Sequence, residues 1–306
     1  MTTEAYAIGA LYIALSVLFV PVYLRIIYVF LRNRKYRSAK CFQIMIQIGL
    51  VQCTMGLSFV LQGISVLLGD DPIGIASVAV EVLSSCFRIE TGLSFVLALD
   101  RFVIVCDVKC PPFALNALSL LVWLYGLIQF GFFSSPLASL RFSPSKFIAI
   151  YDYSLLYSRI LEQTGLYYSW VLSFLTLLVY VVIVLYLLHQ QTRLISVSAN
   201  FRQKMILIQA LIRFVSGATI TVLFHIIPRL LSPSIWITVG IITGYELNHL
   251  LLPVLLYVVC NGFVLESELQ RSSVRFRSLR KEFFGKEAQS DTVKVQSITP
   301  VNATRQ

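Results

Sequence analysis

Apolar residues in this chain gather in seven long runs, roughly 6–31, 42–68, 73–105, 114–133, 165–188, 205–231 and 236–263, with polar stretches between them. A helix needs about 20 mostly apolar residues to cross the hydrocarbon core of a bilayer. In lipid, only helices and closed barrels satisfy their own backbone hydrogen bonds. Barrel strands alternate polar and apolar positions over about ten residues, and these runs are longer and unbroken. The pattern predicts an all-α fold, a seven-transmembrane helix bundle over residues 1–263. Beyond it Leu265, Leu269, Phe276, Leu279 and Phe283 recur near helical spacing with Arg and Lys between them. That is the pattern of a short amphipathic helix on a membrane surface. Residues 264–306 therefore read as a cytoplasmic amphipathic helix and a disordered polar tail.

Composition narrows the class. With 57% hydrophobic residues, 13% charged residues and a mean hydropathy of +0.79, the chain is too apolar for a soluble globule. The net charge of +10 would suit nucleic acid, but its placement points elsewhere. Arg32, Arg34, Lys35, Arg37 and Lys40 crowd the first loop, Arg193, Arg202 and Lys204 follow the fifth run, and a further basic group follows the seventh. The opposite side carries few Lys or Arg. By the positive-inside rule the N-terminus lies outside and the C-terminus inside. The basic residues anchor topology and sit well on anionic membrane lipid, and no nucleic-acid partner is expected. The N-terminus has no basic leader or small-residue cleavage site, so the first run reads as a retained span.

Connections are short, except residues 134–164, an outer loop able to lid a pocket. Gly69-Asp70-Asp71-Pro72 reads as a tight turn between the second and third spans. Cysteines at 41, 53, 86, 106, 110 and 260 lie in spans or near the inner face. No structural disulfide is expected. Cys106, Cys110 and Cys260 could accept acyl chains, although a small apolar filler is the commoner role of such a residue. The sequon Asn302-Ala303-Thr304 falls in the inner tail and should stay unmodified.

Ionisable residues inside spans are costly and so carry the most information. The third run holds Glu81, Arg88, Glu90, Asp100 and Arg101. Along a helix Glu90 lies about 16 Å above Arg101, Arg88 about 20 Å and Glu81 about 30 Å. Arg88 and Glu90, two positions apart, face different sides and need partners on other helices. The expected pairs are Arg88 with Glu246 and Glu90 with Arg213, joining spans three, six and seven. Such pairs serve either as a switch or simply as staples of the fold. An Arg88 left unpaired by Glu246 would favour a ligand bearing a negative or carbonyl group.

Enzyme signatures do not appear. His189, His225 and His249 are scattered with no metal-binding spacing, and there is no nucleophile elbow, phosphate loop or dinucleotide fingerprint. Neither an enzymatic activity nor a cofactor or metal is expected. His225 and His249 precede Pro228 and Pro253, which bend helices by freeing backbone carbonyls. Bent helices in spans six and seven can pivot, as a signalling bundle requires.

Several motifs carry a resemblance. Leu99-Asp100-Arg101-Phe102 closes the third span, and Trp123 stands in the fourth. The second holds Ile44-Met45 and then Ile48-Gly49-Leu50-Val51-Gln52, and Asn248-His249, Pro253, Tyr257 and Asn261 end the seventh. Over residues 6–284 the chain resembles the seven-helix G-protein-coupled receptors of the rhodopsin-like superfamily, most of all the nematode serpentine chemoreceptors. It departs from the common pattern where Gln52 replaces an Asp, Leu252 an Asn and Ile226 a Trp, and Tyr257 comes one position late. No Cys stands at the outer end of the third span.

The resemblance implies a chemosensory receptor in the plasma membrane of a sensory cell. It would bind a small-molecule ligand in the outer half of the bundle and activate a heterotrimeric G protein. Ligand contacts are expected from Glu81, Ser84, Ser85, Arg88, Tyr168, His225 and Glu246. Switching and coupling are expected from Asp100, Arg101, Glu90, Arg213, Pro253 and Tyr257. Two alternatives stay open at this level. One is a seven-helix ligand-gated channel of inverted topology, and the other is a small-molecule transporter, which would show internal repeats.

Overall fold

The structure is a computed structural model that describes residues 3–32, 34, 39–71, 73–111, 113–191, 208, 211–212, 214–220, 222–223 and 235–255. Five long helices come first: α1 (Thr3–Arg32), α2 (Lys40–Leu68), α3 (Ile75–Val105), α4 (Ala114–Phe133) and α5 (Leu156–Gln191). Between α4 and α5 lies an antiparallel hairpin of β1 (Leu140–Ser143) and β2 (Ile148–Tyr151), with Leu140 opposite Tyr151 and Phe142 opposite Ala149. The last helix, α6 (Ile235–Glu246), runs into a π turn over Leu247–Leu251. Among the described residues, six helices are long and apolar enough to cross a membrane. The expected span 205–231 is helical wherever it is described. The amphipathic helix and tail expected over 264–306 lie outside the described residues.

Helix ends follow local chemistry. Gly69 closes α2 at a φ of 75°, where its N–H donates to the carbonyls of Ser65 and Val66; only glycine adopts that left-handed geometry without steric cost. Asp71 then caps α3. Its carboxylate accepts the N–H groups of Ala76 and Ser77 at 3.1 and 2.9 Å, and the Ser77 hydroxyl at 2.9 Å. A carboxylate at this end of a helix also complements the helix dipole. Ser77 Oγ in turn accepts the Phe142 N–H at 3.3 Å, tying the hairpin to the capped helix.

The connection expected over 134–164 is shorter and more ordered than the sequence suggests. Leu140 and Phe142 turn their side chains inward and join Ile8, Tyr12, Val80, Phe133 and Val239 in one apolar cluster. α5 begins at Leu156, nine residues before the predicted start of the fifth span. Arg159, Glu162, Gln163 and Thr164 make its first turns too polar to register as a span, although nothing in them opposes a helix. Asp152 sets the turn before it by accepting the backbone N–H and hydroxyl of Ser154 at 3.0 and 2.6 Å.

The helices pack closely where side chains are small. A Cβ on Gly9 would lie 2.8 Å from the Gly63 carbonyl oxygen, and one on Gly63 would lie 2.8 Å from that of Gly9. The α1 and α2 backbones thus touch, as small residues allow in membrane bundles. A second apolar cluster joins α2, α3 and α4 through Ile44, Ile48, Met55, Phe59, Leu93 and Val122. The α5 face bearing Val171, Phe174, Leu178, Val182 and Leu185 is exposed, which suits contact with lipid chains.

Candidate functional site

α6 changes pitch where proline dictates. Pro253 has no N–H to offer the carbonyl of His249, four residues earlier, and its ring would clash with that oxygen. A wider π turn occupies Leu247–Leu251, just before Pro253. Such turns insert an extra residue and re-aim side chains. As a result three consecutive residues, Asn248, His249 and Leu250, are all buried.

A chain of polar contacts crosses the bundle at this level. The Tyr23 hydroxyl of α1 donates to Gln52 Oε1 of α2 at 2.6 Å. Gln52 Nε2 donates to Glu90 Oε1 of α3 at 2.6 Å. Glu90 Oε2 lies 2.8 Å from His249 Nδ1, although the approach is off the line of a full hydrogen bond. Nearby, Ser216 donates to Asn248 Oδ1 at 2.6 Å. Gln52, Glu90, Asn248 and His249 are all more than nine-tenths buried. Buried polar groups joined in this way hold four helices in a fixed relative register.

A cavity of about 120 Å³ adjoins the network, lined by Glu90, Asn248 and His249 together with Phe87, Thr91, Tyr180 and others. It has room for a few waters or a small organic group. Phe87 packs against His249 with ring centroids 5.2 Å apart, and Tyr245 stacks on His249 at 6.0 Å and 11°. His249 Nε2 has no partner among the described residues.

The two expected ion pairs fare differently. Arg88 and Glu246 do not meet. Glu246, fully buried, accepts the Ser16 hydroxyl of α1 at 2.7 Å, while Arg88 donates to the Ser84 carbonyl at 3.1 Å. The reason is angular: α3 presents Arg88 to α5, where Gly165 leaves room for the guanidinium, and Glu246 faces α1. Glu90 is engaged by Gln52 and His249, and its expected partner Arg213 lies outside the described residues. So do His225 and Tyr257. Pro253 is buried after the π turn.

The remaining expected ligand residues do not share one pocket. Glu81 accepts the Ser134 hydroxyl at 3.3 Å and lines a groove of about 660 Å³ beneath the hairpin. Ser85 donates to the Glu81 carbonyl. Arg88 lies against Gly165 of α5, with Ser84 one helical turn before it on α3. Tyr168 stacks on Tyr125 of α4 at 4.3 Å, and its hydroxyl lies over Gly92. At the far end of α3 Asp100 and Arg101 form a buried pair at 2.8 Å. Trp123 of α4 donates to Gln47 of α2 at 3.0 Å.

The sequence reading missed Phe87, Thr91, Ser94 and Tyr245 as cavity residues. A signal existed, since Phe87, Glu90, Thr91, Ser94 and Leu97 form one helical stripe of α3 and all line the cavity.

No family model matches the chain, and no curated protein matches it. Among solved structures, the crystal structure of squid rhodopsin superposes with a TM-score of 0.63, over 83% of this chain and 76% of that one, at 12% sequence identity. At that identity the likeness is one of fold. The chain is a multi-pass membrane protein that shares the helical fold of squid rhodopsin.

Proposed function

We propose that the protein is a chemosensory G-protein-coupled receptor of the plasma membrane, with the hairpin end outside and the Asp100–Arg101 end in the cytoplasm. A small-molecule ligand binds in the hairpin half, in reach of Glu81, Ser84, Ser85, Arg88 and Tyr168. His225 and Glu246 complete the expected contact set from the last two spans. Signal reaches a heterotrimeric G protein through Arg101, with Glu90, Arg213, Pro253 and Tyr257 taking part in the switch. The observation that carries the reading is the buried relay Tyr23–Gln52–Glu90–His249. It ends in a π turn beside a cavity, the kind of helix irregularity that is frequent at functional sites, and we take it as the element that switches. An agonist shifts such a bundle only by binding its active form more tightly than its resting form.

The test is a G-protein reporter cell expressing the receptor and exposed to a panel of water-soluble and volatile compounds. A responding compound should lose its effect on Arg101→Ala with surface expression unchanged. Full-strength activation by that variant would overturn the role given to Arg101. A tag found on the cytoplasmic side at the N-terminus would overturn the topology.

A further inference from the structure

The cavity beside the polar relay takes one wall from a single stripe of α3. Phe87, Glu90, Thr91, Ser94 and Leu97 recur at helical spacing and all line it. Its volume is about 120 Å³. An apolar protein cavity of about 150 Å³ admits benzene, so this one suits a guest of about five or six heavy atoms. Near the relay the wall is aromatic. Phe87 and Tyr245 lie 5.3 Å apart edge to face, and both pack on the His249 ring, at 5.2 and 6.0 Å. Tyr180 and Phe214, with ring centroids 5.9 Å apart, form another part of it.

The polar groups on this wall differ in what they have left to offer. Thr91 donates to the Phe87 carbonyl at 2.8 Å and Thr176 to the Leu172 carbonyl at 2.6 Å, so both hydroxyl protons are turned onto their own helices. Glu90 presents one oxygen to Gln52 at 2.6 Å and the other to His249 Nδ1 at 2.8 Å. Asn248 accepts the Ser216 hydroxyl. Ser94, one turn beyond Glu90, and Ser173 of α5 add hydroxyls to the wall. His249 Nε2 stands apart. It is buried with no hydrogen-bond partner among the described residues, on a side chain only 7% exposed. A buried polar atom left in that state is costly, and a guest that bonds to it removes the cost.

The relay also decides which kind of bond Nε2 can make. Tyr245 stacks on one face of the imidazole at 11°, and Glu90 stands at its Nδ1 edge. The edge left to border the cavity is the one bearing Nε2. A carboxylate beside one ring nitrogen holds the imidazole proton there, which leaves the other nitrogen as an acceptor. Nε2 therefore calls for a donor.

From this geometry we infer that the cavity is a binding site for a short-chain alcohol, whose hydroxyl donates to His249 Nε2 while its carbon body lies against Phe87 and Phe214. The guest is uncharged. Among the described residues, the charged groups on the wall are Glu90 and His249, which already face one another, and a further charge inside a membrane bundle is expensive. Glu81, Ser84, Ser85 and Arg88 do not line this cavity. The site is thus a second one, and the inference goes beyond the ligand reading above without resting on it. An occupant bonded to His249 touches the relay at the π turn.

The test uses the full-length protein in nanodiscs of zwitterionic lipid, with trifluoroethanol as the probe and empty nanodiscs as the baseline for partition into lipid. Fluorine NMR line broadening reads binding. Broadening beyond the baseline is expected; its absence would mean that the cavity holds water only and would overturn the inference. Butanol and diethyl ether are isomers, but only butanol has a proton to donate. Butanol should displace the probe at least about fivefold more effectively than the ether, and equal displacement would overturn the bond to Nε2. Decanol is too long for the cavity, and butyrate and butylammonium are charged. All three should displace the probe weakly, and a match to butanol by any of them would overturn the size or the neutrality assigned to the guest.

His249→Phe keeps a flat ring and removes the acceptor, and it should weaken the probe by about fivefold to tenfold. Ala218 lines the cavity, and Ala218→Leu puts a branched side chain into it, which should abolish binding. That variant leaves the relay intact, so it tests the site even where His249→Phe folds poorly. Unchanged affinity in Ala218→Leu, or in a folded His249→Phe, would overturn the inference. Binding is read without G protein and so survives a failure of the receptor reading, while failure here leaves Arg101-dependent signalling untouched.

Discussion

Replacing Glu90 by leucine should cost the bundle more stability than any other single change in the polar relay. The carboxylate takes a hydrogen bond from Gln52 at 2.6 Å and a close contact from His249 at 2.8 Å. A hydrogen bond to a charged group contributes about 1.5–3 kcal/mol, and a buried donor left without a partner adds a penalty of about 1–3 kcal/mol. The His249 contact is poorly aligned and deserves the low end of that range. Together the losses come to roughly 3–5 kcal/mol for Glu90→Leu. Glu90→Gln keeps an acceptor for Gln52 and a shape that fits, and imidazole can change tautomer to accept from the new amide; its cost should be about 1 kcal/mol. The buried thiols of Cys53 and Cys86 provide the assay, because a thiol-reactive dye reports their exposure as the purified receptor unfolds on heating. Glu90→Leu should lower the midpoint by about 10 °C and Glu90→Gln by a few degrees. Combining Glu90→Leu with His249→Phe should cost less than the sum of the separate changes, since the second removes a donor the first had stranded. Strict additivity, or a Glu90→Leu midpoint within about 2 °C of the parent, would refute the account of the relay as the element that holds these helices in register.

Two further outcomes follow from the geometry. Gly63→Leu should force α1 and α2 apart, because even a Cβ there meets the Gly9 carbonyl at 2.8 Å; a loss of folded protein by size-exclusion profile is expected, with Gly131→Leu, at a position with open space, behaving like the parent. At the start of α5 the hydrogen bonds from Ser154 hold the Asp152 carboxyl below the usual aspartate range. Its contribution to the turn is complete above about pH 4 and fades as pH falls through the lowered value. Amide exchange at Ser154 and Leu155 should therefore quicken only in that acid window, and Asp152→Asn should remove the dependence.

The membrane-spanning character was legible in hydropathy alone because lipid imposes one requirement, about 20 apolar residues per span, on every helix separately. The boundary before α5 was not, since hydropathy measures lipid contact and Arg159 and Glu162 can be helical without it. The choice of partners was legible least. Sequence spacing correctly separated Arg88 from Glu90 onto different sides of α3, yet it carried no information about which neighbour each side meets. Glu246 was matched to Arg88 on complementary charge and similar depth, and the fold turns it to Ser16 instead.

Composition and run length by themselves determined an all-helical membrane protein, and the proline at 253 marked where its last described helix would lose a hydrogen bond. Only the tertiary structure decided that the hairpin would pack into the end of the bundle, that His249 would be carried to Glu90, and that Arg88 would turn to Gly165 of α5 rather than to Glu246. The physical reason is the same in each case. Burial in lipid is a property of one segment and its length, while the pairing of polar groups depends on the rotation of each helix about its axis, which is set by packing contacts such as Gly9 against Gly63 that lie far apart in the chain.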